Sequence, residues 1–274
     1  MLLGIDVSKW QGDLDWHKAR SAGARYAFIR AGSCSEVQGT IYTDYKFERN
    51  ARIAPDFFPI GFYWYFRPNH DPIKQANYFC SLIRDKRYLL PPVVDLESSG
   101  GMAPNEITDA AKAFIHQVYA RINAWCILYS RALWLNANTV SDDVWDLVDL
   151  WVARYINLSG PWSDGKCKPR DFDQWKFWQK SAGGNGLGPR FGAKSRSIDI
   201  NYFNGDQSAF DSYAGVAPGG LVRVTSTLAA SLRSSPEGSA IGATWRGAIW
   251  PVKEKAGDYY KVEGWLHKDK VEKI

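Results

Sequence analysis

Asp95 and Glu97 are the residues best placed to do chemistry, because they close the run Pro91-Pro92-Val93-Val94-Asp95-Leu96-Glu97. Val93, Val94 and Leu96 favour extended backbone, and the two prolines mark where the run begins. Side chains alternate along a strand, so acids at i and i+2 share a face, with Cα atoms roughly 6–7 Å apart. Two carboxyls on one face, against apolar neighbours, suit acid/base catalysis. Mutual repulsion and desolvation raise their pKa values, so one can keep a proton while the other carries charge. The competing reading is a strand ending in solvated acids, and the segment alone leaves both open.

The surrounding elements supply the missing context. Apolar runs predict eight strands, at 2–6, 25–31, 60–66, 91–97, 126–130, 150–155, 175–179 and 197–201. Helices are expected at 15–22, 42–54, 71–84 and 105–123, and mostly loops separate the later strands. The early alternation of strand and helix argues for parallel strands. Eight of them in about 210 residues predict an α/β fold, an irregular TIM-like barrel of five β/α units followed mostly by strands. Such barrels do their chemistry at the C-terminal strand ends. Asp6 ends strand one, Asp95 and Glu97 end strand four, and Asp199 ends strand eight, so the four acids are expected together. Asp6 could instead cap a loop, and Asp199 could make a structural hydrogen bond. Tyr63 and Tyr65 alternate with Phe62 and Trp64, so one of these pairs faces the barrel interior. Arg154 and Tyr155 end a strand and are candidates to line a groove. Arg30 is a candidate substrate contact or a buried ion-pair partner.

Composition narrows the function. The chain has 274 residues and is 45% hydrophobic and 23% charged, which is globular. Aromatics reach 15%, with 13 Trp and 14 Tyr, enough to line a groove for sugar rings as well as fill a core. The net charge of +5 is modest and no long Lys/Arg block occurs, so nucleic acid is not an expected partner. Four scattered cysteines without a CxxC read as free thiols, Cys80 and Cys126 buried. The four histidines lie far apart, with no HExxH or Cys/His spacing, so neither a metal nor another cofactor is expected. No GxSxG, P-loop or GxGxxG context is present. No stretch is long enough to insert in a membrane, and the start lacks the features of a signal peptide. The chain is therefore expected to be made in the cytoplasm and, if its target is outside, to be let out by another route.

Residues 214–220 (Ala-Gly-Val-Ala-Pro-Gly-Gly) read as a linker. Beyond them, short alternating runs broken by turn signals predict a small all-β domain over 221–274. It holds 9 Lys+Arg against 6 Asp+Glu, so +3 of the total +5 sits there. Of its tryptophans, Trp265 is expected in the core, while Trp245 and Trp250 could form either core or surface.

With these pieces in order, residues 1–213 resemble glycoside hydrolase family 25, the Chalaropsis-type lysozymes. The resemblance runs through Gly4-Ile5-Asp6-Val7-Ser8, Trp10-Gln11-Gly12, Phe28-Ile29-Arg30-Ala31 and Gly61-Phe62-Tyr63-Trp64-Tyr65-Phe66. It continues through Asp95-Leu96-Glu97, Trp151-Val152-Ala153-Arg154-Tyr155, Phe177-Trp178-Gln179 and Ile198-Asp199-Ile200-Asn201. Two positions depart from it: Arg30 stands where the family often has lysine, and Trp64 where it often has histidine. Residues 221–274 resemble a bacterial SH3-like domain, on Leu232-Arg233-Ser234, Ile241-Gly242 and Tyr259-Tyr260-Lys261-Val262-Glu263-Gly264-Trp265-Leu266-His267.

The resemblance implies a lysozyme, an N-acetylmuramidase of phage-endolysin type. It would act as a monomer on bacterial peptidoglycan, be released by lysis or through a holin pore, and be held on the wall by its small domain. Glu97 matches the general acid, Asp95 its partner, and Tyr63 a site residue. Asp6 and Asp199 would position the substrate or tune the pair. Because Asp95 and Glu97 come from one strand face, a substrate-assisted route is the expectation. The alternatives are a wall-binding protein with a decayed barrel, or a chitinase-like enzyme. Of the chitinases' longer acidic motif (DxxDxDxE), only the final Asp-x-Glu is present.

Overall fold

The computed structural model describes residues 1–182, 186–216, 221–224, 229–245, 249–256, 258–262 and 264–273. These form two compact units, one of residues 1–54 with 59–204 and the other of residues 55–58 with 205–274.

The first unit runs β1 (Leu2–Val7), α1 (Trp16–Ser21), β2 (Tyr26–Cys34), β3 (Ile41–Thr43), α2 (Phe47–Ile53), β4 (Ile60–Tyr65) and α3 (Pro72–Ile83). It continues with β5 (Val93–Asp95), α4 (Pro104–Ile122), β6 (Ile127–Arg131), α5 (Ala132–Asn138), β7 (Asp149–Ala153), β8 (Phe177–Ser181) and β9 (Asp199–Phe203). Eight strands pair in the order β1-β9-β8-β7-β6-β5-β4-β2, and a β1–β2 pairing closes the barrel. β3 is a ninth, antiparallel strand on the edge of β2. All barrel pairs are parallel except the two that β9 makes, with β8 and with β1.

The helix expected over 42–54 begins only at Phe47. Ile41–Thr43 pairs with β2 instead, and the buried Asp44 carboxylate takes backbone N–H groups of Lys9 and Lys46, which fixes a turn there. Elsewhere local chemistry marks the helix ends. Asp15 and Asp71 cap α1 and α3 by accepting from the N–H groups of Lys18 and Lys74, and Asn123 ends α4 in the left-handed conformation. α5, a seven-residue helix that follows β6 directly, has no counterpart among the helices expected from the sequence.

Strand alternation layers the barrel interior. At its floor Phe28 stacks on Trp151 (ring centroids 4.5 Å apart) and meets Phe177 edge-on at 5.1 Å. Gly4 and Gly61 make room for this layer: a Cβ on Gly4 would lie 2.3 Å from the Tyr26 ring, and one on Gly61 2.7 Å from Phe28. Two residues further along the same faces come Asp6 on β1, Arg30 on β2 and Tyr63 on β4. The apolar floor therefore carries a polar layer at the C-terminal end of the parallel strands. Phe62 and Trp64, on the opposite face of β4, are fully buried outside the barrel; Phe62 packs on Phe47 of α2, and Trp64 donates its indole N–H to Gln75 of α3.

In the second unit, α6 (Gln207–Tyr213) precedes β10 (Leu221–Val224), β11 (Ala229–Arg233), β12 (Ala240–Trp245) and β13 (Ile249–Pro251). β14 (Glu254–Ala256), β15 (Tyr259–Lys261), β16 (Trp265–His267) and β17 (Val271–Lys273) follow. The strands form antiparallel sheets of three (β13-β10-β17) and five (β12-β11-β16-β15-β14). Val224, Ala230, Val252, Val262, Leu266 and Val271 form the core, with Trp250 packed against it and Trp265 buried. Most of the linker (217–220) and the side chain of Trp245 lie outside the described residues.

Candidate active site

A cleft of about 290 Å³ opens at the C-terminal end of the parallel strands. It gathers all four acids, Asp6, Asp95, Glu97 and Asp199, with Arg30, Tyr63, Tyr65 and Tyr155. Asp199 reaches this end by a route the sequence order hides. β9 runs antiparallel, so Asp199 opens its strand rather than ending it, and its backbone partner is Asp6.

Asp95 and Glu97 share the cleft face, and Leu96 between them is buried on the other side. Past Asp95 the chain still pairs: Leu96 N–H donates to the Tyr129 carbonyl, and Ser130 Oγ donates to the Leu96 carbonyl at 2.6 Å. Glu97 is thus held beyond the strand end. Burial first, then the charge of Glu97, pushes the Asp95 carboxyl well above the usual carboxylate range. Burial also raises Glu97, while the guanidiniums of Arg131, Arg30 and Arg67 pull it back. The pair therefore holds a proton to higher pH than free carboxylates do. Desolvation is the main cause, and the mutual repulsion anticipated from the sequence is secondary. Asp95 Oδ1 is buried and has no hydrogen-bond partner among the described residues.

Asp6 is buried too, but saturated. Its Oδ2 accepts from Gln179 Nε2 (2.9 Å) and Asn201 Nδ2 (2.8 Å). Gln179 Oε1 in turn accepts from the hydroxyls of Tyr129 (2.8 Å) and Tyr155 (2.9 Å), and Asn201 Oδ1 accepts from Trp151 Nε1 (2.9 Å). Both amides thus aim N–H groups at Asp6, an arrangement that favours its charged form. Burial outweighs these bonds and raises Asp6. Asp199 is pushed up to about 8 by burial, by the charge of Asp6 and by their shared hydrogen bond. At neutral pH Asp199 is the protonated partner and donates to Asp6.

On the opposite wall the Tyr65 ring lies between two guanidiniums, Arg30 at 5.0 Å and Arg67 at 4.8 Å from its centroid. Arg30 donates to Tyr42 Oη at 3.2 Å and has no ion pair among the described residues. Arg67 is further held by Ser98 Oγ at 2.9 Å. At the mouth, Trp10 sits on a 3-10 turn (Lys9–Gln11) closed by a capping box between Ser8 and Gln11, and its ring is 69% exposed.

Arg154 is the one sequence candidate that the structure places elsewhere. Strand alternation turns it away from the cleft while Tyr155 faces in. It makes a bidentate pair with Asp164 (2.8 and 2.9 Å) and donates to the carbonyls of Pro161 and Lys166, pinning the loop that follows β7. Gln179, Tyr129 and Trp10 line the cleft without having been singled out as site residues. The available signal was Gln179 itself, an uncharged polar residue on the same strand face as the buried Phe177. Trp64, a departure from the family pattern, faces away from the cleft, so that departure leaves the site untouched.

Comparison with known proteins agrees with this geometry. Residues 5–188 match the profile of Glycosyl hydrolases family 25. Lysozyme M1 of Streptomyces globisporus is 36% identical over an alignment of 218 residues covering 74% of this chain and 67% of that protein. N,O-diacetylmuramidase of Chalaropsis sp. is 28% identical over 150 residues, 50% of this chain and 69% of the relative. The crystal structure of the bacterial lysozyme from Streptomyces coelicolor superposes with a TM-score of 0.66 at 30% identity, covering 78% of this chain and 96% of that one. With four clustered acids at the open end of a closed eight-stranded barrel, and with these relatives, the chain belongs to family 25 of the glycosyl hydrolases and is a glycoside hydrolase of the lysozyme type.

Proposed function

We propose that the chain hydrolyses the β-1,4 bond between N-acetylmuramic acid and N-acetylglucosamine in peptidoglycan by a substrate-assisted route. The observation that carries this reading is the buried, unpartnered Oδ1 of Asp95 beside Glu97. A buried acceptor without a donor is costly, and an N–H delivered by the substrate removes the cost. The 2-acetamido group of the sugar supplies such an N–H. In the free protein the stronger shift leaves the pair's proton on Asp95; an N–H delivered to its Oδ1 stabilises the Asp95 carboxylate, and the proton passes to Glu97. The acetamido oxygen then attacks the anomeric carbon as the glycosidic bond breaks, and Glu97 delivers its proton to the leaving oxygen. Water attacks the same carbon next, reopening the cyclic intermediate, and the Glu97 carboxylate takes its proton. The anomeric configuration is retained. The exposed rings of Trp10 and Tyr155 at the cleft suit the apolar faces of sugar rings.

A decayed, purely wall-binding barrel fits poorly with an intact acid set held by a tailored hydrogen-bond network. We place the enzyme's action at the bacterial wall, in the manner of a phage endolysin freed by lysis or through a holin pore. We read the basic stretch 221–274 as an SH3-like wall-binding module. The enzyme is tested by reducing-end release from purified peptidoglycan, wild type beside Glu97→Gln. Removal of the general acid is expected to lower kcat by about 10³-fold in a folded protein, and undiminished release by the variant would remove Glu97 from the mechanism. An inverted anomer in NMR of the early hydrolysate would exclude the substrate-assisted route.

A further inference from the structure

A second depression lies beside the cleft and shares a wall with it. It is a groove of about 520 Å³ between α5 and the ends of β6 and β7, and Tyr155 lines both spaces. Its surface is predominantly apolar, from Ala132, Leu133, Trp134, Ala137 and Ala153. Leu133 is 63% exposed and points a full apolar side chain at solvent, which a folded monomer has no reason to keep clustered with other apolar groups. Where groove and cleft meet stands Arg131. Arg131 lines the groove, follows Tyr129 of the cleft on the same face of β6, and is the cation that acts most strongly on Glu97. Arg131 is exposed and has no ion pair among the described residues, unlike Arg154 at the far side, which Asp164 neutralises.

An occupant must therefore be continuous with the sugar in the cleft, present small apolar groups to the groove floor, and carry a negative charge close to the cleft. A glycan strand alone has no such part. We propose that this groove binds the peptide stem of a muramoyl residue held in the cleft. The stem leaves the sugar through its lactyl group, alanine methyls meet Leu133 and its neighbours, and a free stem carboxylate pairs with Arg131. This inference rests on the peptidoglycan reading above and adds that the enzyme recognises peptide-substituted glycan.

The test uses the full chain and two forms of one peptidoglycan: intact, and glycan strands stripped of their stems by an amidase. Wild type is compared with Leu133→Asp and Arg131→Ala. Both positions are exposed, and thermal melts confirm folding; Leu133 does not line the cleft, whereas Arg131 also bears on Glu97, so its variant is read by the ratio of its rates on the two forms. On the intact form each variant is expected to lose about tenfold in kcat/KM, the loss of one buried aliphatic contact or one charge pair. On stem-free strands Leu133→Asp should match wild type, Arg131→Ala should lose clearly less than it does on the intact form, and wild type itself should be slower there than on the intact form. Equal losses on both forms, or no loss on either, would overturn the stem site while leaving the muramidase reading intact. Failure of wild type to cleave either form would overturn both.

Discussion

The two walls of the cleft treat buried charge in opposite ways. On the wall made by β1, β8 and β9, Asp6 is enclosed by donors: Gln179 and Asn201, themselves fixed by Tyr129, Tyr155 and Trp151, and the protonated Asp199. On the wall made by β2, β4 and β5, Asp95 is equally buried yet keeps an oxygen without a partner, and cations stand near it rather than on it. A saturated wall is rigid and contributes to stability. An unsaturated one costs stability and gains it back only when substrate arrives. The difference assigns roles: Asp6 and its network set a fixed field, and Asp95 with Glu97 does the work on the sugar.

If that division holds, substitutions on the two walls should separate rate from stability. The largest effect is expected from Asp95→Asn, which should lower kcat by about 10²–10³-fold, the range for losing a preorganised electrostatic contact in a transition state. Its stability should move the other way. The folded-state pKa of Asp95 is raised, so the carboxylic acid favours folding below its unfolded value near 4, and that advantage is lost as pH rises. Asn does not titrate, so the variant should melt higher than wild type at pH 7–8 and no higher at pH 4. Gln179→Leu tests the other wall. It strips the acceptor from two tyrosine hydroxyls and a donor from Asp6, and should cost about 3 kcal/mol of stability by chemical denaturation, with a smaller fall in kcat, about tenfold. Should Asp95→Asn destabilise at pH 7 as Gln179→Leu does, the contrast between the walls would collapse.

Much of the bare wall was legible in the sequence, and little of the saturated one. Asp95 and Glu97 announce themselves because period-two alternation puts two charges on one face of an apolar run. The same rule narrowed β4 to one of two pairs, Tyr63 with Tyr65 or Phe62 with Trp64, and the family resemblance picked out Tyr63 and brought in Arg30. The saturated wall depends on long-range partners. Gln179 and Asn201 meet Asp6 across 173 and 195 positions of sequence, and no local pattern encodes those bonds. Strand direction was hidden as well, since Ser197-Ile198-Asp199-Ile200-Asn201 reads alike in either sense, and only pairing with β1 and β8 shows that Asp199 leads its strand. Arg154 was misplaced by one step of alternation at a strand end. α5, and with it the groove, escaped notice because its seven residues are too few for an apolar period to stand out.

The smallest expected change sharpens the comparison most. Asp199 titrates near 8, so at neutral pH it gives a proton to Asp6, and above that it becomes a second negative charge opposite Asp6 in the β1–β9 register. Its folded-state value lies above the unfolded one near 4. The stability it contributes is thus complete below pH 4 and is lost as pH rises through 8. Asp199→Asn can still donate an N–H to Asp6 and cannot ionise. At pH 6–7 it should stay within about threefold of wild-type kcat/KM, because it mimics the protonated form. Between pH 7 and 9 wild type should lose melting temperature and activity together, while the variant follows a flatter course in both. A variant that falls as steeply as wild type would show that the alkaline loss belongs to Glu97 and Asp95, and that the field from the saturated wall does not depend on the Asp199 proton.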